Sequence, residues 1–333
     1  MSSPADGAFP DRLTIGFVPI PSWISRPTPR VVRTLALAVV VTQALISVTG
    51  ATVRVTGSGL GCPTWPQCFP GSMVPIEHPE VAAFHQAIEF GNRLLTFVIG
   101  FFALACFLTA RRCPPYRPRL VRLALVMPLG VVAQAIIGGM TVLVNLAWWS
   151  VSVHFMASAV LIWLATVLYK AAGEGDREPV GVVPRPMRTL LVGLVVVTAA
   201  VLVVGTLVTA AGPHAGDPDT PRLGFSVETL VEVHGLLVMA YVLLLAVFGV
   251  WLRSSRPTKA LLKTYGAACA MVLVQGAIGS IQYHLGVPEA MVVLHVAAAT
   301  LVIIITALLW GESRYRGPLP EPTPTPAEEP AAA

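Results

Sequence analysis

Four histidines lie inside long apolar segments of this chain, and their positions point to metal chemistry. His85, His154, His234 and His295 fall near the start of the second, fourth, sixth and eighth of eight such segments. An imidazole inside a lipid bilayer is energetically costly. For a single buried histidine, a hydrogen bond between helices is the structural alternative to metal binding. One histidine on every even-numbered segment instead predicts two pairs. Two imidazole pairs inside a helical bundle can hold the irons of two haems.

The segments that carry these histidines are predicted to be transmembrane helices. The chain has 333 residues, of which 55% are hydrophobic and 12% are charged, as in polytopic membrane proteins. A single span needs about 20 apolar residues. Eight stretches qualify, and they cover residues 34–53, 86–110, 123–144, 150–169, 189–211, 229–252, 264–283 and 289–310.

The distribution of basic residues predicts how the chain lies in the membrane. Lysines and arginines fill alternate loops, whereas the opposite loops hold only Arg54 and Arg222. By the positive-inside rule, both termini are cytoplasmic in a multi-pass protein of the cell membrane. The net charge of +5 therefore reflects topology and indicates no nucleic-acid partner. Residues 1–33 and 313–333 are polar or rich in proline, and we expect both to be disordered.

The two halves of the sequence resemble each other. Residues 131–138 (VVAQAIIG) match 272–279 (VLVQGAIG), and residues 154–161 (HFMASAVL) match 295–302 (HVAAATLV). Both matches have an offset of 141 residues (275 − 134 and 295 − 154). The repeat predicts an all-α membrane protein whose eight transmembrane helices form two tandem, similar four-helix bundles. Their predicted bounds are 34–170 and 189–312, joined by a cytoplasmic linker at 171–188.

Depth and repeat position predict which histidines are paired. His154 and His295 occupy equivalent positions, each twenty residues after a glutamine. His234 lies at a similar depth to His295, so we expect these two to hold one iron. Glu232 could orient the His234 ring. His78 and His214 lie in outer loops and are expected to be solvated.

At the level of motifs, the chain resembles the haem A synthase family. The resemblance rests on GATVRVTGSGLGCPTWPQC (50–68), IEFGNR (88–93), HFMASA (154–159), His234 and LHVAAAT (294–300). It implies conversion of haem O to haem A, by oxidation of a ring methyl to a formyl group, for terminal oxidase assembly. It further implies that the C-terminal bundle holds a haem B cofactor on His234 and His295. The N-terminal bundle would receive haem O, with His154 as one axial ligand.

In the second span the sequence departs from the family pattern. The family usually has Glu-x-x-His-Arg, whereas this chain has Glu89 and Arg93 with Asn92 at the histidine position. His85 lies two helical turns earlier on the same face as Asn92. Either His85 is the second axial ligand of the substrate haem, or the iron has an open or water-bound position there. Of the two, we favour His85.

Several other polar residues are candidates for the site. Glu89 is a proton or positioning group beside the substrate, or simply the ion-pair partner of Arg93. Arg93 and Arg54 are candidates for contacts with haem propionates. Cys62 and Cys68 face the oxidising side, where a disulfide is plausible, and the resemblance implies a redox role. A passive clip of the loop is the alternative.

Two other classes of function compete with this interpretation. A di-haem electron-transfer protein would share the histidine pairs, although simple electron transfer needs neither the cysteine loop nor Glu89. A transporter with duplicated halves would have helices broken near the midplane, and here the prolines cluster in loops. The expected partners are haem O, the haem O synthase that would supply it, the lipid bilayer and an electron acceptor that the sequence does not identify. The sequence is also compatible with a homo-oligomer.

Overall fold

The structure is a computed structural model that describes residues 27–320. This part contains eight long helices, each long and apolar enough to cross a membrane. They are α1 Pro29–Val55, α2 Ala83–Arg112, α3 Pro118–Leu143, α4 Trp148–Ala172, α5 Arg185–Ala211, α6 Val227–Ser254, α7 Lys259–His284 and α8 Glu289–Glu312. The predicted all-α membrane fold with eight spans is confirmed, and the protein is a multi-pass membrane protein.

Most helices extend several residues beyond the predicted apolar stretches. The first begins at Pro29 rather than residue 34, because the Thr28 hydroxyl accepts a hydrogen bond from the Val31 amide and proline suits a first helical turn. Residues 29–33, which we expected to be disordered, are therefore helical. The remaining predictions of terminal disorder, for 1–26 and 321–333, lie outside the described residues.

The N-terminal half closes into a four-helix bundle. Each of α1 to α4 packs against its two neighbours around the ring. Small side chains such as Ala36, Ala103, Ala124 and Ala165 are fully buried at the centre. Small residues allow the close backbone approach that stabilises helix pairs in lipid.

The C-terminal half is more open. Helix α5 packs closely on α6, and α7 packs closely on α8, but α6 and α7 touch only slightly. The core that joins the two pairs lies at the helix ends where α1 begins and α8 ends, which we call the inner ends, the opposite ends being the outer ends. Leu194, Phe248, Leu261 and Leu309 are buried there. Towards the outer ends the helix pairs share no such core among the described residues, and His234 and His295 lie in this part.

Helix α8 connects the two halves. It packs against α1 and α4 as well as α7, and α4 also contacts α5. Ile303 on α8 packs with Ala159 and Ile162 on α4. The histidine-bearing α4 and α8 are thus adjacent at the centre of the molecule.

The inner face is more ordered than the sequence predicts. Two residues of the linker, Val180–Gly181 (β1), pair antiparallel with Arg314–Tyr315 (β2) directly after α8. We expected 171–188 to be a plain linker and 313–333 to be disordered. Backbone pairing of this kind involves two distant polar segments, and neither has a hydropathy pattern that would reveal it.

Candidate functional site

In the C-terminal half, His234 on α6 and His295 on α8 face each other. Their ring centroids lie 6.4 Å apart, and the two ring planes are tilted by 52°. Among residues 27–320 this is the closest approach of two histidine rings. The predicted pairing of these two residues therefore agrees with their geometry.

The spacing of this pair suits an iron between the rings. The two rings are far enough apart that a metal ion would fit between them, and close enough that a nitrogen of each could bind it. The Nδ1 atoms of His234 and His295 are buried and have no hydrogen-bond partner among the described residues. No group of three or more metal-binding side chains occurs in this part of the chain. A haem, whose porphyrin supplies the other ligands, would need only these two imidazoles from the protein.

Two neighbours on α7 orient His295. The Gln275 side-chain amide nitrogen lies 3.1 Å from both His295 Nε2 and the His295 carbonyl oxygen. Gly279 lies directly beneath the ring, since a Cβ on this glycine would be 3.0 Å from His295 Cε1. Gly205 on α5 faces His234 in the same way, at 3.2 Å. Glu232, suggested above as a partner of His234, is exposed on α6.

The N-terminal half repeats this arrangement around His154. Gln134 on α3 donates to the His154 carbonyl at 3.3 Å, and also bonds Ser158 one turn later. A Cβ on Gly138 would lie 3.0 Å from His154 Cε1. Gln134 and Gly138 are the repeat equivalents of Gln275 and Gly279, so the whole set of glutamine, glycine and histidine is duplicated.

His85 lies at the start of α2 and is held by the loop that follows α1. Its Nδ1 is 2.9 Å from the Ser58 hydroxyl, which also bonds the Thr56 hydroxyl. This contact leaves Nε2 as the ring nitrogen available to a ligand. His85 and His154 form no ring pair in the described structure, so the structure does not bring these two together as it does His234 and His295.

Asn92, at the position where the family pattern has histidine, has a different partner. Its Oδ1 accepts a 2.7 Å hydrogen bond from the Thr49 hydroxyl on α1. The side chain therefore joins α1 to α2 through its amide oxygen.

Cys62 and Cys68 form a disulfide in the loop between α1 and α2, as predicted. Both residues are fully buried and pack with Phe69. Phe69 in turn stacks on His78, whose Nδ1 accepts from the Glu80 amide. His78 is thus packed within the loop, against our expectation of a solvated side chain.

Glu89 and Arg93 bind this loop from α2. Glu89 Oε2 accepts a 2.6 Å bond from the Cys62 amide, and Oε1 pairs with the Arg93 guanidinium at 2.6 Å. Arg93 also donates to the carbonyl oxygens of Cys62, Thr64 and Gln67. One buried carboxylate and one guanidinium therefore fix both ends of the disulfide loop. The predicted ion pair between Glu89 and Arg93 is present. It also anchors the disulfide loop, which the sequence did not indicate.

Arg54 joins the outer ends of the two halves. Its guanidinium donates to the carbonyl oxygens of His214 at 2.7 Å and Thr209 at 3.1 Å. His214 lies 2.9 Å from the Val287 carbonyl, and the Gly59 amide donates to Gly216. His214 is therefore half-buried and bonded, and the prediction that it is solvated is wrong. The partners of Arg54 and of the His214 ring are backbone carbonyls, and sequence patterns do not reveal such contacts.

Sequence reasoning missed several residues that shape the site. Ser58, Gly138, Gly205 and Gly279 each contact a histidine ring. Gly138 and Gly279 lie within the repeated segments and four residues after the repeated glutamines. A glycine present in both copies of a repeated helix was the available signal, because glycine allows another side chain or helix to approach closely.

The fold and site define a class of protein, an eight-helix membrane protein of two related halves with an imidazole pair inside the C-terminal half. The family of cytochrome oxidase assembly proteins called COX15-CtaA matches residues 33–217. The chain belongs to this family. The matched region contains His85, His154 and the disulfide loop.

Individual relatives agree with this assignment. The chain is 30% identical over 213 residues to a heme A synthase of Exiguobacterium sp. (strain ATCC BAA-1283 / AT1b), covering 61% of this chain and 69% of the relative. It is 29% identical over 198 residues to one of Lysinibacillus sphaericus, covering 58% and 62%. A third, from Shouchella clausii, is 29% identical over 136 residues, covering 40% and 43%. The chain thus spans less than two thirds of the length of the latter two.

Proposed function

We propose that this protein is a haem A synthase, which oxidises a methyl group of haem O to a formyl group for terminal oxidase assembly. The observation that carries the proposal is the His234–His295 pair at 6.4 Å, together with its duplicated histidine, glutamine and glycine set around His154. Membership of the family and the similarity to heme A synthases support it. The bound haems would supply the redox chemistry.

In this proposal His234 and His295 hold a haem B cofactor. The Gln275 amide would keep the His295 ring in a fixed orientation, and Gly205 and Gly279 leave space beside the two rings. Ligand orientation by such neighbours tunes the properties of a bound metal.

The N-terminal half would bind haem O through His154 and His85. The Ser58 contact supports His85 over Asn92, because it engages Nδ1 and leaves Nε2 free, while the Asn92 oxygen is already bonded to Thr49. Ser58 would act as a positioning residue that selects the ring tautomer.

Glu89 and the Cys62–Cys68 disulfide are the proposed catalytic groups besides the histidines. Glu89 is only 5% exposed and bonds directly to the Cys62 amide, so carboxylate and disulfide form one unit next to the start of α2. Glu89 would either carry a proton beside the substrate or position the substrate through a polar contact. The disulfide is proposed to have a redox role, with a passive clip as the alternative.

Arg54 and Arg93 remain candidates for contacts with haem propionates. Arg93 donates to four acceptor groups, and these bonds use all five of its N–H donors. A propionate would have to replace one of them. Arg54 uses only Nε and Nη2, so it is the better candidate.

We further propose that the protein lies in the cell membrane with both termini in the cytoplasm. This orientation places the disulfide loop and the histidine sites towards the oxidising side. Its proposed partners are the enzyme that supplies haem O, the terminal oxidase assembly that receives haem A, and an electron acceptor.

Co-expression with a haem O source, followed by chromatography of the extracted haems, tests this function. We expect haem A from the wild-type chain and none from His154→Ala, with haem B present in both. Haem B alone from the wild-type chain, in cells that make haem O, would contradict the synthase and favour a di-haem electron-transfer protein.

A further inference from the structure

Four half-buried arginines meet at the inner ends of the helices, and we call them the inner arginine cluster. They are Arg119 at the start of α3, Arg188 in the first turn of α5, and Arg314 and Arg316 just after α8. The β1–β2 pairing and the bond from the Val182 amide to the Ser313 carbonyl bring the last three together. The Arg188 guanidinium packs against Gly181 of β1.

Few acidic groups neutralise this cluster among the described residues. Glu174 is 3.4 Å from Arg119. The other nearby carboxylates have their own partners, Asp176 with Arg117 at 2.8 Å and Glu312 with Lys170 at 2.7 Å. Four guanidinium groups against the single carboxylate of Glu174 leave an excess of three positive charges.

Two further observations show that the cluster is electrostatically unsatisfied. The Arg188 Nε atom is buried and has no hydrogen-bond partner in the part of the chain that the structure describes. The pKa of Arg314 is lowered by burial and by the positive charges of Arg316, Arg119 and Arg188. A buried donor without a partner destabilises the folded state, so an anion at this position would stabilise the fold.

Membrane topology alone does not account for this arrangement. Other arginines on this face are exposed to solvent, as at Arg111, Arg112, Arg122, Arg185 and Arg256, and the buried Arg117 has its own carboxylate partner in Asp176. An exposed arginine satisfies the positive-inside rule equally well. The half-buried position of the cluster needs a separate explanation.

We propose that the inner arginine cluster binds the phosphate group of an anionic phospholipid of the inner leaflet. The guanidinium fork matches phosphate oxygens in a bidentate manner. Basic pockets at the cytoplasmic ends of transmembrane helices bind anionic headgroups. Trp310 supports this placement, because its ring stacks with the Arg314 guanidinium at 4.5 Å and tryptophan favours the membrane interface. The proposal does not depend on the proposed haem chemistry.

Thermal unfolding of the full-length protein in nanodiscs tests the proposal. Discs of phosphatidylcholine alone are compared with discs containing increasing phosphatidylglycerol, for the wild type, Arg188→Gln and Arg314→Gln. We expect phosphatidylglycerol to raise the Tm of the wild type in a saturable manner, with the half-saturating fraction at least tenfold higher in either variant. Arg188→Lys, which keeps the charge, should recover part of the shift.

Arg185→Gln is the matched control for Arg188→Gln, because it removes an exposed arginine one turn away on the same helix. Arg122→Gln is a second control, which removes an exposed arginine one turn from Arg119 of the cluster. They should respond like the wild type. The proposal would be overturned if the controls lost the phosphatidylglycerol-dependent rise in Tm as fully as the cluster variants, or if the wild type had the same Tm in both lipids. Inorganic phosphate is titrated in phosphatidylcholine discs. A rise in Tm equal to that caused by phosphatidylglycerol would overturn the lipid proposal and identify the site as one for free phosphate.

Discussion

At the scale of single residues, the proposal for the substrate haem depends on the second span. Replacing His85 by alanine should abolish haem A formation while haem B stays bound, because the Ser58 contact with Nδ1 leaves His85 Nε2 free as the proposed ligand of the substrate haem. The measurement is the haem A to haem B ratio of the purified protein. Asn92→Ala is the control and should keep haem A, since it loses only the bond to Thr49. Unchanged haem A in His85→Ala would transfer the ligand role to Asn92 or water.

The ion pair that holds the disulfide loop is the second feature at this scale. Arg93→Gln should lower the free energy of unfolding by about 3–5 kcal/mol, because the side chain of Glu89, 6% exposed, loses its cation. Closing the small disulfide loop contributes roughly 2 kcal/mol, so removing the cation from buried Glu89 should cost more than removing the covalent link. Thermal unfolding and maleimide labelling of Cys62 and Cys68 after mild reduction report the change. Arg112→Gln, exposed at the other end of α2, is the control and should behave like the wild type.

At the scale of the helices, the glycines beneath the histidines are the distinctive element. Gly279→Ala places a methyl group 3.0 Å from His295 Cε1, so the ring must shift slightly to make room. We expect a shifted Soret band and a changed haem B potential with the fold intact. Gly276→Ala, on the same helix with open space around it, should leave both unchanged. Identical spectra for the two variants would remove Gly279 from the site.

The helices and the histidine pair could be predicted from sequence, whereas the loops could not. Hydropathy marks each span because lipid requires a long apolar helix, and the 141-residue offset marks His154 and His295 as equivalents. The bonds from Arg93 and Arg54 end on backbone carbonyls, which every residue has, so no pattern reveals them. The strand pairing of Gly181 with Arg314 at the inner ends also consists of backbone bonds, so the sequence did not predict it.

At the scale of the whole molecule, Arg54 links the two halves at their outer ends. Arg54→Gln removes two hydrogen bonds from a charged donor, one to Thr209 in the last turn of α5 and one to His214 in the loop that follows, and such bonds are worth about 1.5–3 kcal/mol each. We expect a lower Tm together with faster proteolysis of the loop between α5 and α6. Arg222→Gln, an exposed arginine on the same side, is the control. A Tm equal to that of the control would mean that the halves are held by α8 and its neighbours alone.

The central claim is that imidazoles of the even-numbered helices hold haem iron, and the optical spectrum of the purified protein tests it most directly. The wild type and His284→Ala, an exposed histidine at the end of α7, should show the Soret band of a low-spin haem with two axial imidazoles. His234→Ala and His295→Ala should lose that band and most of their haem B. Full haem content in both of these variants, or a colourless wild type from haem-replete cells, would contradict the account.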